Sequence, residues 1–458
     1  MGTYVSTCGS VFEKGYNANH SLTYDILQTF IRSVYQIGLY MMQRLISALM
    51  LTALLLPQAT LWAQSVCQAL VNEALSRIGT ACANLDPDSA CYGFPTLNAV
   101  FTEPLTSGAF SEPGDRVNLA QIASIKPAAA NLTTSEYGIS VISMRANLSN
   151  ALPASQTVRL ILIGGQELES GVRPEDALPP SDVLVNALTV VEAQLRPTLD
   201  GATDPESYMT VPAGASVILD AISEDGQQVR AVYGGRSGWM DVAAISPDTD
   251  LSALPSIGPN NMTPMQSFYL PVNDDLFSSN CVDAPAMVVV QTPADHVVDI
   301  WVNGVQVRLE DASLIFRVTG SPSSPRLELV VFHGLVSLFP GTPQELIVPP
   351  GFTTSVGLDS APTSLGIEGD PDELPVVGLW ATPRALTQDE LAFFSSIEQL
   401  PANILNYALS VPQLVQASGI GGPIPRLIFS NPRALAIVTR ACEQGRLPEA
   451  TCDLLLGP

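Results

Sequence analysis

Val297-Val-Asp-Ile-Trp301-Val302-Asn303-Gly304-Val305-Gln-Val-Arg-Leu309 is the stretch whose reading decides the fold. On each side of Asn303-Gly304 one set of alternate positions is wholly apolar: Val298, Ile300 and Val302, then Val305, Val307 and Leu309. A period of two gives one buried face only when the chain is extended. Asn-Gly supplies two residues that tolerate positive φ, as a two-residue hairpin turn demands. The stretch therefore reads as a β-hairpin. Outward from it, Ser313–Val318, Arg326–Phe332, Gly334–Leu338 and Leu346–Gly351 are short apolar runs broken by Pro, Gly and Ser. Serial strands of this kind, with turns every ~8–12 residues, predict an antiparallel stack or sandwich over residues 276–360.

The same vocabulary recurs upstream. Val66, Leu70, Val71, Ala74, Leu75 and Ile78 fall at helical spacing, so Gln68–Ile78 is expected as an amphipathic helix stopped by Gly79. Tyr137–Ala146 and Thr157–Ile163 read as strands turning at Gly164-Gly165, which makes 66–165 a small α+β module. Downstream, 379–458 is expected to be helical. Thr387-Gln-Asp-Glu390 forms a capping box, Pro401 and Pro412 divide further helical runs, and a helix runs from Asn431-Pro432 to Gly445. Residues 166–184 and 247–275, rich in Pro, Asp and Ser, read as linkers that permit relative motion of the modules. The expected fold class is mainly β and multi-domain, since about 390 residues exceed one ordinary core.

Between the linkers, Val211-Pro-Ala-Gly214-Ala-Ser-Val217-Ile-Leu219, Val229-Arg-Ala-Val232 and Gly235-Arg-Ser-Gly238-Trp239-Met-Asp-Val-Ala-Ala-Ile245 resemble a bacterial SH3 domain over 185–246. The resemblance implies a small SH3-like β-barrel, with Glu224-Asp225-Gly226 as a hairpin turn. Trp239 is expected as its apolar core, the alternative being a ligand platform. The front departs from the family, because Leu188 to Pro197 replaces an Asn-Val-Arg-Ser-Gly-Pro-like run, so a family groove built there is not carried over. The order of strands over 281–358 resembles a FecR-type extracytoplasmic domain, without a side-chain signature.

A different segment precedes these modules. Met42-Gln43-Arg44, the apolar run Leu45–Leu56, Pro57 and Ala59-Thr60-Leu61-Trp62-Ala63 follow the pattern of a secretory signal peptide over 41–64. Residues 1–40 are then an over-extended start. The other reading makes them a cytoplasmic tail and Leu45–Ala63 an uncleaved anchor. A spanning helix needs about 20 apolar residues, and Pro57-Gln58 interrupts this one early. Val66 before Cys67 is too bulky for a lipoprotein processing box.

Export changes what charge and cysteine mean. Residues 1–64 hold Glu13, Asp25, Lys14, Arg32 and Arg44, a net +1, so their removal takes the net charge from −24 to −25. Sixteen Arg and one Lys, Lys126, remain. So acidic a chain argues against nucleic acid and anionic membrane as partners, and for neutral or cationic ones. The acidic pairs Asp86/Asp88, Asp274/Asp275 and Asp370/Asp372 lack the spaced ligands of a calcium loop and read as a solvated surface. Asn131-Leu-Thr and Asn147-Leu-Ser fit the glycosylation pattern by chance. Cys67, Cys82, Cys91, Cys281, Cys442 and Cys452 are an even set and read as disulfides. Cys442 and Cys452 are the expected pair. The other four allow three pairings, of which a bond among the first three, such as Cys82 with Cys91 across their loop, is easiest.

Catalytic supply is thin. Beyond residue 64 only His296 and His333 are available to a triad or a metal, and both read as ordinary positions at a turn and a strand end. No nucleophile elbow, zinc-protease helix or P-loop occurs. No catalytic residue, metal or cofactor is expected. The expected function is a non-catalytic binding or scaffold protein, exported to a bacterial cell surface or extracellular space, with cell-wall polymer or another exported protein as partner. The alternatives are a FecR-like membrane-anchored signalling component and a cell-wall hydrolase. A membrane enters only if the N-terminal segment stays uncleaved.

Overall fold

The Asn303-Gly304 hairpin forms as read. Val302 pairs with Val305, and the two turn residues hold φ of 49° and 78°. This computed structural model describes residues 67–457 apart from 107, 179–180, 200–207, 259, 280, 282–283, 359–375, 378, 420–421 and 430–431. Residues 1–40, the segment 41–64, Asp370, Asp372 and Asn431 lie outside the described residues.

The protein is mainly β. Beyond the hairpin, the short strands expected over 313–338 are two long ones, Val305–Ser321 and Ser324–Leu338, joined at Pro322-Ser323. They stay continuous by means of a bulge. The register shifts between Glu310 and Ser313, Asp311 takes φ 49°, and Gly334 on the partner takes φ 74°. A Cβ on Gly334 would collide with the carbonyl oxygens of Glu310 and Asp311, so only glycine fits there.

The expected separation of 66–165 from 276–360 is corrected by the pairing. Val158–Ile163 lies between Ile139–Met144 and Met287–Gln291, and the last of these pairs with Val305–Ser321. One sheet of 16 strands results among the described residues, and one apolar cluster runs from Cys67 to Leu455. Residues 66 to 458 form one compact unit. The stretches expected as linkers are also ordered. Leu168–Ser170 pairs antiparallel with Ser267–Tyr269, and the N–H groups of Gly171 and Leu178 donate to Ser267 O and Met262 O, each at 2.8 Å. Entrance and exit are thus zipped into a stem, because backbone groups that leave water must pair.

The stem carries an inserted module whose larger sheet has five strands among the described residues, including Val185–Leu188, Ser216–Ser223, Gln228–Tyr233 and Arg236–Asp241. Gly214 and Gly226 turn it at positive φ, as expected. Its interior holds Val217, Leu219, Val229, Ala231 and Met240. Trp239 is 3 % exposed but lies in a second cluster with Ala221 and Ile257, against Leu178 and Leu199. Adjacent strand residues face opposite sides, so Met240 takes the interior position expected of Trp239, which binds the module to its stem instead. A ring so enclosed offers no ligand platform.

Elsewhere the chain follows its local signals with two exceptions. The first helix runs over 67–81, past Gly79, where a Cβ would come within 2.7 Å of Pro401. The stretch after Pro412, expected to be helical, is a hairpin of Gln413–Gly419 and Gly422–Ile428. Pro423 and Pro425 would each break a helix interior but are tolerated at a sheet edge. The Thr387–Glu390 capping box forms. Helix Pro432–Glu443 ends at Gly445 with φ 70°, Gly445 N–H donating to Cys442 O and Arg446 N–H to Ala441 O. Three disulfides join Cys67 to Cys281, Cys82 to Cys91 and Cys442 to Cys452.

Trp239→Ala should lower the unfolding free energy by about 3–5 kcal/mol in urea titrations. Because the loss falls on the stem side, Met240→Ala, which empties the module interior, should add to it nearly independently. A Trp239→Ala protein of unchanged stability would contradict this placement.

Candidate functional site

A cleft of about 290 Å³ opens where the inserted module, the long hairpin and helix Pro432–Glu443 meet. Its first wall is the turn Asp295-His296-Val297 with Asp311 beside it. Two non-glycine residues here hold positive φ, Asp295 at 63° and Asp311 at 49°, a conformation Asp adopts more readily than most residues. They brace each other. Asp295 N–H donates to Asp311 Oδ1 at 3.3 Å, and Asp311 N–H to His296 O at 3.0 Å.

His296 is 3 % exposed, and its Nδ1 lies 2.8 Å from Ala294 O. A carbonyl can only accept, so Nδ1 carries the proton. Burial pulls the imidazole below its ordinary value of 6.5; the Ala294 bond and Asp295 oppose this, Arg236 adds to it, and Asp311 opposes it. The neutral ring then presents Nε2 as an acceptor, and Nε2 has no hydrogen-bond partner among the described residues.

The second wall is one face of helix Pro432–Glu443 continued into its C-terminal turn. Ala436, Ile437, Arg440, Ala441 and Gln444 recur at helical spacing along the cleft, the two alanines leaving room. Gln444 Oε1 is buried there without a partner. The module supplies the third wall, including Leu195, Met209 and Arg236. Its position is fixed by a buried polar network. Arg230 Nε donates to Asp220 Oδ1 at 2.9 Å and Nη2 to Oδ2 at 2.8 Å. Asp220 also accepts from Asn150 N–H at 2.7 Å, and Arg230 reaches Asn147 O at 3.3 Å. The Asn147 side chain in turn accepts from Asp299 N–H at 3.0 Å, three residues beyond His296. The glycosylation-like Asn147 is therefore a structural bridge.

Three arginines and three acidic residues line this cleft in a chain whose acids outnumber its bases 44 to 20. Arg446 forks onto Glu310 at 2.6 and 3.2 Å, and Arg236 lies 3.5 Å from Asp295. Asp311 Oδ2 is 3.6 Å from His333 Nε2. Ser313, which pairs in register with His333, gives its hydroxyl to Tyr407 Oη and accepts from Gln291 Nε2, each at 3.0 Å. That hydroxyl is committed to structure. The lining thus combines ion-paired side chains and the exposed Arg440 with the apolar surface of Leu195, Met209, Val297, Leu335 and Ile437.

Trp239 and the six cysteines do not line the cleft. The sequence reading took His296 for an ordinary turn position and did not single out Arg440 or Gln444, since the walls come from three separate stretches, 195–237, 295–335 and 436–446. The available signal was the Asp-His pair at a turn in a chain with so few histidines. No family model, curated protein or solved structure matches the chain. Among the described residues no group of three or more His, Cys, Asp or Glu could hold a metal ion, and no helix is long and apolar enough to cross a membrane.

A histidine held below its ordinary value favours unfolding when protonated. Its contribution is fully present above 6.5, the unfolded value, and is lost as pH falls below it toward the folded value. Urea titrations between about pH 7.5 and 5 should therefore show stability declining on acidification, and His296→Gln should flatten that slope. The same slope in both proteins would place the titration elsewhere.

Proposed function

We propose that the chain is an exported binding protein of a bacterial cell surface or extracellular space, that it does not turn over a substrate, and that its ligand sits in the three-walled cleft. The observation that carries this reading is the cleft itself, walled by three separate parts of the chain and lined by apolar side chains beside Arg440, whose guanidinium makes no ion pair or hydrogen bond among the described residues. Three disulfides and the signal-like run from Met42 to Ala63 support export. The resemblance of the inserted module to bacterial SH3 domains supports a cell-wall polymer or another exported protein as the source of the ligand.

The exported protein should begin near Gln64 or Ser65. N-terminal sequencing checks this, and protein retained in the membrane with its start at Met1 would favour the FecR-like signalling reading.

Ala436→Trp fills the cleft from an exposed helix position and leaves the sheet untouched. Immobilised protein should capture its ligand from cell-wall and exported-protein fractions, and Ala436→Trp should lose that capture while keeping its urea midpoint. Capture undiminished in this variant would remove the cleft from the binding surface. Hydrolysis of a peptide or glycan that disappears in a His296→Gln variant would establish the hydrolase reading instead.

A further inference from the structure

Large apolar side chains left exposed are not scattered over the molecule. Nine are found among the described residues, and five of them, Val183, Leu184, Leu188, Val190 and Val191, fall within nine consecutive positions that carry no charge. None of the five lines the cleft. At the centre of the stretch is the strand Val185–Leu188, which pairs with Ser216–Ser223 and with no other strand among the described residues. It is therefore an edge. The bonds at its end show which backbone groups face outward. Thr189 N–H donates to Ala215 O on the paired side, whereas Leu188 O accepts from Ser246 N–H and Val190 N–H donates to Ala244 O on the other. Along an antiparallel strand these directions alternate, so Asn186 presents both its N–H and its C=O outward. The side chain of Ala187 is buried, which leaves Asn186 and Leu188 on the exposed face, with Leu184 one step before them. Edges are normally blunted by a charge, a proline or a bulge, and Val185–Leu188 carries none of these.

Leu184-Val-Asn186-Ala-Leu188 reads the same in both directions at its exposed positions. Two antiparallel copies related by a two-fold axis at Asn186 set Asn186 opposite Asn186, and each Leu184 opposite the second copy's Leu188. Such a pairing is self-complementary and closes on itself. Asn186 N–H donates to Asn186 O in both directions, and two amide side chains that make no hydrogen bond within the chain meet at the axis. An unrelated extended segment would use the same backbone groups but would have no need of the mirrored order of side chains. Charge points the same way. The net charge of −24 opposes contact between copies over most of the surface, whereas 183–191 is neutral and its flanking acids are Asp182 and Glu192. In this register the two Asp182 residues stand eight residues of extended chain apart, about 26 Å, well beyond a Debye length of about 8–10 Å. We infer that the inserted module joins two copies of this chain edge to edge, with Val185–Leu188 paired antiparallel to itself.

Sedimentation of the full exported chain between about 1 μM and about 1 mM should show its mass doubling with concentration. Asn186→Asp and Asn186→Lys each place like charges face to face at the axis. Each should weaken the dimer at least about tenfold and keep the urea midpoint, since the position is exposed. An equimolar mixture of the two variants should restore the dimer, because Asp then faces Lys; a role of Asn186 confined to folding gives no such rescue. Asn186→Cys should yield a disulfide-linked dimer on oxidation, because hydrogen-bonded antiparallel partners hold their Cα atoms about 5.5 Å apart, within disulfide reach. Val190→Cys, about 26 Å from its own copy in this register, should not. A chain that stays monomeric at about 1 mM overturns the proposal, as does a dimer that both charged variants leave intact or that their mixture fails to restore. A monomer whose Asn186→Asp variant loses capture of an exported protein would give the edge to that partner and overturn the second copy equally. Either result leaves the cleft to be decided by Ala436→Trp.

Discussion

The ladder between Val158–Ile163 and Met287–Gln291 is the constraint on which the rest of the structure depends. Every residue of both strands is buried, so neither could leave its backbone groups unpaired without a cost of about 1–3 kcal/mol for each group. Both strands read as nearly continuous apolar runs, as strands covered on both faces do. Their pairing joins the beginning of the sheet to its end across the whole inserted module. Once that ladder is formed, Leu168–Ser170 and Ser267–Tyr269 are brought side by side, the stem closes, and the module has one place to stand. Cys67–Cys281 ties the same two regions covalently.

What the stem positions, arginine–carboxylate pairs orient. Arg230 with Asp220 and Arg308 with Asp299 are both forked and buried, and Arg446 with Glu310 closes the C-terminal helix onto the long hairpin. Burying a charge is tolerable only when its partner is held in good geometry, and a guanidinium provides two parallel donors where an ammonium provides a point charge. This explains why a strongly acidic chain keeps 16 arginines and only Lys126 beyond residue 64. Such pairs add little net stability over apolar contacts, but a wrong docking of the module would leave Asp220 or Arg230 buried and alone. They act on orientation more than on stability.

The features legible in the sequence were those set by a few neighbouring residues. Asn303-Gly304 fixes a turn because of the φ values it allows. Thr387 and Glu390 satisfy each other three residues apart, and Gly445 ends a helix that returns Cys452 to Cys442. What escaped depends on pairing between distant strands. Nothing local in 166–184 or 247–275 announces that the two will meet, and their Pro, Asp and Ser content is that of a linker. Trp239 shows the narrowest margin. Its burial was foreseen and its face was not, because one residue of register decides whether it or Met240 points inward. The cleft was the least legible, since its three walls are brought together by the ladder and the stem.

The cleft is also where the chain departs from its own local rules. Asp295, Asp311 and Gly334 all hold positive φ around the bulge that interrupts the long hairpin. An uninterrupted hairpin would remove that strain, and would also move Asp311 off the edge where it braces Asp295 and the His296 turn. Positions held against their preference persist when the surroundings over-determine them, and here the surroundings are the bracing bonds of Asp311 and the contact at Gly334. The consequence is a cleft wall held by its own internal bonds. Free joints between modules would leave the three walls without a fixed relation. A zipped stem, a buried polar network and a braced bulge fix that relation, and together they hold a charged cleft whose walls are set by bonds far from it in sequence.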